Sequence, residues 1–160
     1  MTLQELIAPL DTVLIEGNLQ CEVVSITEDS RQVKAGSVFV AIRGEHQDGH
    51  EFVRQAQTQG AVGVVVEEEG VDSPEPPQGG KSPALIRVKN SRKALGLLAS
   101  RLYGMPSAHL HMVGVTGTNG KTTVTHLAQS LLEAQRHHVG LSGTVGYVFG
   151  TERRVASHTT

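Results

Sequence analysis

The chain has 160 residues, of which 38% are hydrophobic and 19% charged, and its 14 Lys and Arg against 16 Asp and Glu leave a net charge of -2. That is one mid-sized domain or two small ones, with no apolar run of the ~18 residues a membrane helix needs and no basic field to gather nucleic acid or an anionic membrane. The single cysteine, Cys21, excludes an internal disulfide and a multi-cysteine zinc site, and the start MTLQELIAPL lacks the basic-then-apolar pattern of a leader, so a cytoplasmic location is expected.

Thr2-Leu3-Gln4-Glu5 reads as a capping box opening a short helix with Leu3, Leu6, Ile7 and Leu10 on one face. Val23, Val24 and Ile26 form a strand-like run ending at Asp29-Ser30-Arg31, and Val38 to Ile42 a stronger one between Gly36 and Gly44. From His50 the spacing of Phe52, Val53 and Ala56 suits a helix stopped by Gly60, and Val62 to Val66 then reads as a buried strand, completing a β-α-β unit. Gly70 to Pro83 holds four of the six prolines and is expected to be a surface loop. Ala84 to Val88 gives another strand, after which Asn90 or Ser91 caps a helix carrying Ala94, Leu95, Leu98 and Leu102, stopped by Gly104 and Pro106. A domain boundary near Lys89 follows, because a second series then begins: a buried strand at Met112 to Val115, a glycine loop, a helix from Lys121 to about Gln135, and a strand starting at Val139 to Leu141. The fold class expected is α/β.

With no Trp, 3% aromatics and 18 glycines, the chain is expected to bind through tight glycine turns rather than aromatic stacking. Val113-Gly114-Val115-Thr116-Gly117-Thr118-Asn119-Gly120-Lys121-Thr122-Thr123 fits that task. Glycines let successive N–H groups turn inward as an anion-binding nest, and the following helix adds its free N–H groups and positive dipole end. Lys121 can then reach the β- and γ-phosphates of a nucleotide, and the Thr122 hydroxyl can ligate Mg²⁺. The first glycine of the strict G-x-x-x-x-G-K-[ST] pattern would fall at 115, where this chain has Val115. The bland alternative is a glycine turn that merely joins strand to helix.

Thr116 to Thr123 resembles the ATP loop of the Mur ligases, the amide-forming enzymes of peptidoglycan precursor synthesis, which share the variant with one glycine displaced. The upstream series agrees: Asp29-Ser30-Arg31, Gly36 to Gly44, Asp48-Gly49-His50-Glu51-Phe52, Ala56 and Gly60-Ala61 resemble the N-terminal domain of the ligases that add the third residue or the terminal dipeptide. Gly143-Thr144-Val145-Gly146-Tyr147 and His158-Thr159-Thr160 are similar to the third-residue branch. The resemblance runs from about Cys21 to Thr160.

It implies a small N-terminal α/β domain binding the UDP-muramoyl peptide (residues 1–89), then the beginning of a P-loop-type parallel-sheet ATP-binding domain (90–160). Glu28, Ser30, Glu45, His46 and Gln47 would hold the UDP portion, and His158, Thr159 and Thr160 would reach the muramoyl peptide. Gly117, Thr118, Asn119, Gly120, Lys121, Thr122 and Thr123 would bind ATP, with Lys121 catalytic and Thr122 on the metal. On residues alone Asp29 and Ser30 equally read as a turn cap, and the last three residues as a polar tail. His109, His111, His137 and His138 read as surface histidines, and Glu67-Glu68-Glu69 as a solvated strand end.

The activity implied is ATP- and Mg²⁺-dependent ligation through an acyl phosphate. Its partners would be a UDP-N-acetylmuramoyl dipeptide and an amino acid, diaminopimelate being the commoner choice, with no nucleic acid or membrane partner and a monomeric state. The further metal-holding acid, the adenine-contacting region and the amino-acid-recognising domain of that family are not among these residues, so the 160-residue chain is expected not to ligate alone. A terminal-dipeptide Mur ligase, a folylpolyglutamate synthetase-like ligase and a non-catalytic nucleotide-binding module remain as alternatives.

Overall fold

The computed structural model describes residues 1–44, 47–67 and 82–155. Two compact units divide between Leu110 and His111.

In the first unit, Thr2 caps helix α1 (Leu3–Ile7) as expected: its hydroxyl accepts from the Glu5 amide and the Glu5 carboxylate accepts from the Thr2 amide. Strands β1 (Thr12–Glu16), β2 (Ser25–Thr27), β3 (Ser37–Val40), β4 (Gly63–Glu67) and β5 (Ala84–Val88) form one sheet in the order β1-β5-β4-β3-β2. β2 through β5 are mutually parallel, and β1 lies antiparallel on the β5 edge. Helix α2 (Val53–Thr58) connects β3 to β4, and α3 (Ser91–Leu102) follows β5.

Alternate residues of the central strands face opposite sides of the sheet, and each side has its own core. Val38, Val40, Val65, Ala84, Ile86 and Val88 meet Leu3, Leu6 and Ile7 of α1 with Ala94 and Leu98 of α3. Phe39, Ala41, Val64, Val66 and Leu85 meet Val53 and Ala56 of α2. The result is three layers with the parallel strands sealed on both faces, which is why those strands read as continuous apolar runs rather than as alternating ones. The burial of Ala94 and Leu98 also moves the division. Sequence reading put it near Lys89, but α3 buries its apolar face against the first sheet and so belongs with it.

The second unit contains α4 (Lys121–Ala134) and an antiparallel meander of β6 (Gly140–Gly143), β7 (Gly146–Phe149) and β8 (Glu152–Arg154). The strand expected at Met112 to Val115 does not form: the backbone there is irregular, and Met112 and Val113 are 70% and 77% exposed. A β-strand needs a neighbour for its ladder, and no described strand pairs with this segment. Among the described residues the sheet of this unit is antiparallel, and the parallel strands all lie in the first. Among the described residues no helix is long and apolar enough to cross a membrane. The proline-rich segment read as a loop lies mostly outside the described residues, in 68–81.

Candidate functional sites

The carboxyl ends of β2, β3, β4 and β5 lie along one edge of the first sheet, because parallel registers align Thr27 with Phe39, Val40 with Val65, and Glu67 with Val88. The chain leaving each strand supplies polar groups there, which is where open α/β sheets generally take ligands. After β2 comes a 3₁₀ turn, Ser30–Gln32, capped by the Asp29 side chain. Asp29 Oδ1 accepts from the Arg31 amide at 3.0 Å and from Arg31 Nε at 2.9 Å, while Oδ2 accepts from Arg31 NH2 at 2.8 Å. These donors, the Arg31 guanidinium foremost, hold the Asp29 carboxyl at about 2, well below the usual range. The turn cap read from sequence is thus real, and it leaves Ser30 beside the strand end with its hydroxyl donating to Gln55 Oε1 at 3.2 Å.

A depressed carboxyl pKa contributes stability above its unfolded value that is lost as pH falls through the folded one. Thermal melts of the chain should therefore decline as pH drops from about 4 toward 2, and Asp29→Asn should flatten that decline. Equal slopes for the two proteins would exclude Asp29 as a contributor.

After β3, Arg43 and Asp48 form an antiparallel bridge, the Gly44 amide donates to the Gln47 carbonyl at 2.9 Å, and Arg43 Nε lies 3.5 Å from Asp48 Oδ2. These contacts lie at the same edge. Glu28 and Gln47 are exposed there, and Ser30 is 8% exposed. Glu45 and His46 lie outside the described residues, as do His158, Thr159 and Thr160.

Sequence reading gave no role to a polar cluster at the ends of β3, β4 and β5. His50 Nδ1 bonds Asp48 Oδ1, and His50 Nε2 accepts the Glu67 amide at 3.1 Å. Accepting through Nε2 makes Nδ1 the protonated nitrogen, so the ring is a neutral tautomer fixed by both neighbours. Glu67 is not the solvated strand end expected, since Oε1 accepts from the Ser91 amide at 3.0 Å and from Ser91 Oγ at 2.9 Å. Those bonds, the Ser91 amide first, lower the Glu67 pKa. Although Ser, His and acids stand close together, no nucleophile is activated: His50 Nε2 is engaged by a backbone amide and Ser91 Oγ by a carboxylate. The cluster ties strand ends to the loop. Asp48-Gly49-His50 was visible in the sequence, but the donor that His50 meets, the Glu67 amide 17 residues on, was not.

In the second unit the glycine loop keeps its shape without a preceding strand. Gly120 sits at φ 77° as N-cap of α4 with no side-chain cap, and Gly117 at φ 143°. Both are angles that side-chain-bearing residues resist. Among the described residues the amides from Thr118 to Thr123 donate to no backbone carbonyl, the first helical bond being Val124 N–H to the Gly120 carbonyl at 2.9 Å. Lys121 Nζ bends back over the loop, donating to the Gly117 carbonyl at 2.6 Å and the Thr118 carbonyl at 3.3 Å. Lys121 and Thr122 line a cleft of about 290 Å³ with Thr125, His126, Ser142 and Tyr147.

Groups of the kind that hold a triphosphate tail stand together here: among the described residues, amides with no backbone acceptor at a helix N-terminus, one ammonium and an exposed hydroxyl, the last two lining the cleft. Among the described residues no three His, Cys, Asp or Glu side chains converge. A Mg²⁺ held at Thr122 would need further oxygen ligands from phosphate, water or residues beyond these.

The order of these sites has counterparts in known proteins. Residues 22–103 match the Mur ligase family, catalytic domain, and residues 115–160 match the Mur ligase middle domain. Over 160 residues, all of the chain, it is 43% identical to a UDP-N-acetylmuramoyl-L-alanyl-D-glutamate--2,6-diaminopimelate ligase of Parabacteroides distasonis and 40% identical to that of Clostridium tetani, spanning 32% of each. Over 90% of its length it superposes on 28% of a crystal structure of MurF from Acinetobacter baumannii, with TM-score 0.61 and 28% identity. With just over half of the chain inside the first of those family matches and the glycine loop inside the second, the chain belongs to the Mur ligase family.

Proposed function

We propose that this chain carries the UDP-sugar-binding and triphosphate-binding parts of a ligase that adds diaminopimelate to UDP-N-acetylmuramoyl-L-alanyl-D-glutamate. The observation that carries the reading is the row of amides from Thr118 to Thr123 that donate to no backbone carbonyl among the described residues, in the loop that Lys121 Nζ bonds, within a chain about 40% identical to ligases of that name. Bound ATP would supply the phosphoryl group that activates the substrate carboxylate. The chain's own residues hold and neutralise. The loop amides grip phosphate oxygens without needing a net basic surface, Lys121 exchanges a loop carbonyl for the transferring phosphate, and Thr122 orients Mg²⁺.

The sheet edge in the first unit takes the uridine diphosphate end, through Ser30, Glu28 and the loop carrying Glu45, His46 and Gln47. His158, Thr159 and Thr160 are the candidates for the muramoyl peptide. Two binding events should then be separable. Titrating the chain with UDP-N-acetylmuramoyl dipeptide should shift NMR amide signals of residues 28–32 and 43–48, and titrating with Mg²⁺ and a non-hydrolysable ATP analogue should shift those of 116–123. An unperturbed 116–123 under saturating nucleotide would sink the ligase reading. Competition by the tripeptide stronger than by the dipeptide would point instead to the terminal-dipeptide branch.

A further inference from the structure

Ser30 is 8% exposed, yet its hydroxyl is bonded to Gln55, an exposed residue of α2. An exposed glutamine reaching a nearly buried hydroxyl adds little to folding, because water competes for its amide. Its geometric effect is larger. A serine hydroxyl has one hydrogen and two lone pairs, so whichever partner takes the hydrogen decides what the oxygen offers elsewhere. With Gln55 Oε1 at 3.2 Å as the acceptor, Ser30 Oγ keeps its lone pairs for a donor arriving at the sheet edge. The rest of the turn is already committed: the Ser30 carbonyl accepts the Val33 amide, and both Asp29 carboxylate oxygens are taken by Arg31.

We propose that Gln55 is a positioning residue that fixes the Ser30 hydroxyl as a hydrogen-bond acceptor for a donor group of the bound nucleotide, such as an imide N–H or a ribose hydroxyl, and not for a phosphate oxygen. This rests on reading the sheet edge as the uridine diphosphate site. Gln55→Leu removes the acceptor and frees the hydroxyl to rotate, whereas Gln55→Glu keeps an acceptor in place.

The test is a double-mutant cycle on UDP affinity of the 160-residue chain, measured by calorimetry. Ser30→Ala and Gln55→Leu should each weaken binding about three- to tenfold, the size of one net hydrogen bond. Gln55→Glu should stay close to wild type, and Gln55→Leu should cost nothing further once Ser30 is Ala, a non-additivity that a merely structural role of α2 would not produce. If Ser30→Ala weakens binding but Gln55→Leu is neutral or additive, the positioning role is overturned while the site stands. If UDP does not bind, or Ser30→Ala leaves its affinity unchanged, the reading of the edge as a nucleotide site falls and the role of Gln55 with it.

Discussion

Replacing Lys121 by Ala should lower affinity for the Mg²⁺ complex of an ATP analogue roughly 100-fold, from the loss of about two charge-assisted contacts at ~1.5 kcal/mol each. The side chain is exposed and among the described residues bonds only the Gly117 and Thr118 carbonyls of its own loop, so the helix behind it should survive the change. Circular dichroism should confirm the same helix content, and fluorescence titration with a labelled nucleotide should report the affinity. Lys121→Arg should fall between, since a guanidinium keeps the charge but not the compact reach of an ammonium. UDP affinity should not move, because that site is read in the first unit. A nucleotide affinity for Lys121→Ala within about threefold of wild type would show that the loop amides act alone, and Lys121 would lose its role.

The largest effect on stability is expected at Phe39. Its ring is fully buried on the α2 face of β3, among Val33, Val53, Ala56 and Val64. Phe39→Ala should cost about 3–5 kcal/mol, combining lost transfer energy with the cavity left behind. Against a total of ~5–15 kcal/mol for a typical domain, that is enough to bring the first unit close to unfolding. Val24, 71% exposed, is the control: Val24→Ala should stay within about 0.5 kcal/mol. Urea unfolding followed by backbone signals of each unit separates the two transitions. A Phe39→Ala midpoint near that of wild type would contradict the sealed three-layer core.

What the sequence revealed followed the strength of its local signals. β3, β4 and β5 were legible because strands buried on both faces carry unbroken apolar runs, and the α1 capping box because its two partners lie three residues apart. β1 was missed. Val13, Leu14 and Ile15 are all partly exposed on an edge strand, where neither alternation nor full burial marks them. Met112 to Val115 failed in the opposite way, with strand-like residues but no described neighbour to bond. The glycine loop could be read because its chemistry is contiguous. The cluster of Asp48, His50, Glu67 and Ser91 is assembled across three strand ends, and nothing local in sequence announces that His50 meets the amide of Glu67 or that Glu67 meets Ser91.

That cluster also answers a question posed by β4. Its interior, Val64-Val65-Val66, is uniform, so sliding the strand by one position would leave the two oily faces almost equally satisfied. Hydrophobicity therefore does not index this strand. Its two ends do. At one, Gly63 faces Leu3 so closely that an added Cβ would stand 3.1 Å from a Leu3 methyl; at the other, the Glu67 amide and carboxylate each have a single correct socket, at His50 and Ser91. Polar groups at the rim thus serve as the alignment marks of a greasy ruler, setting which rung of β4 faces which rung of β3 and β5.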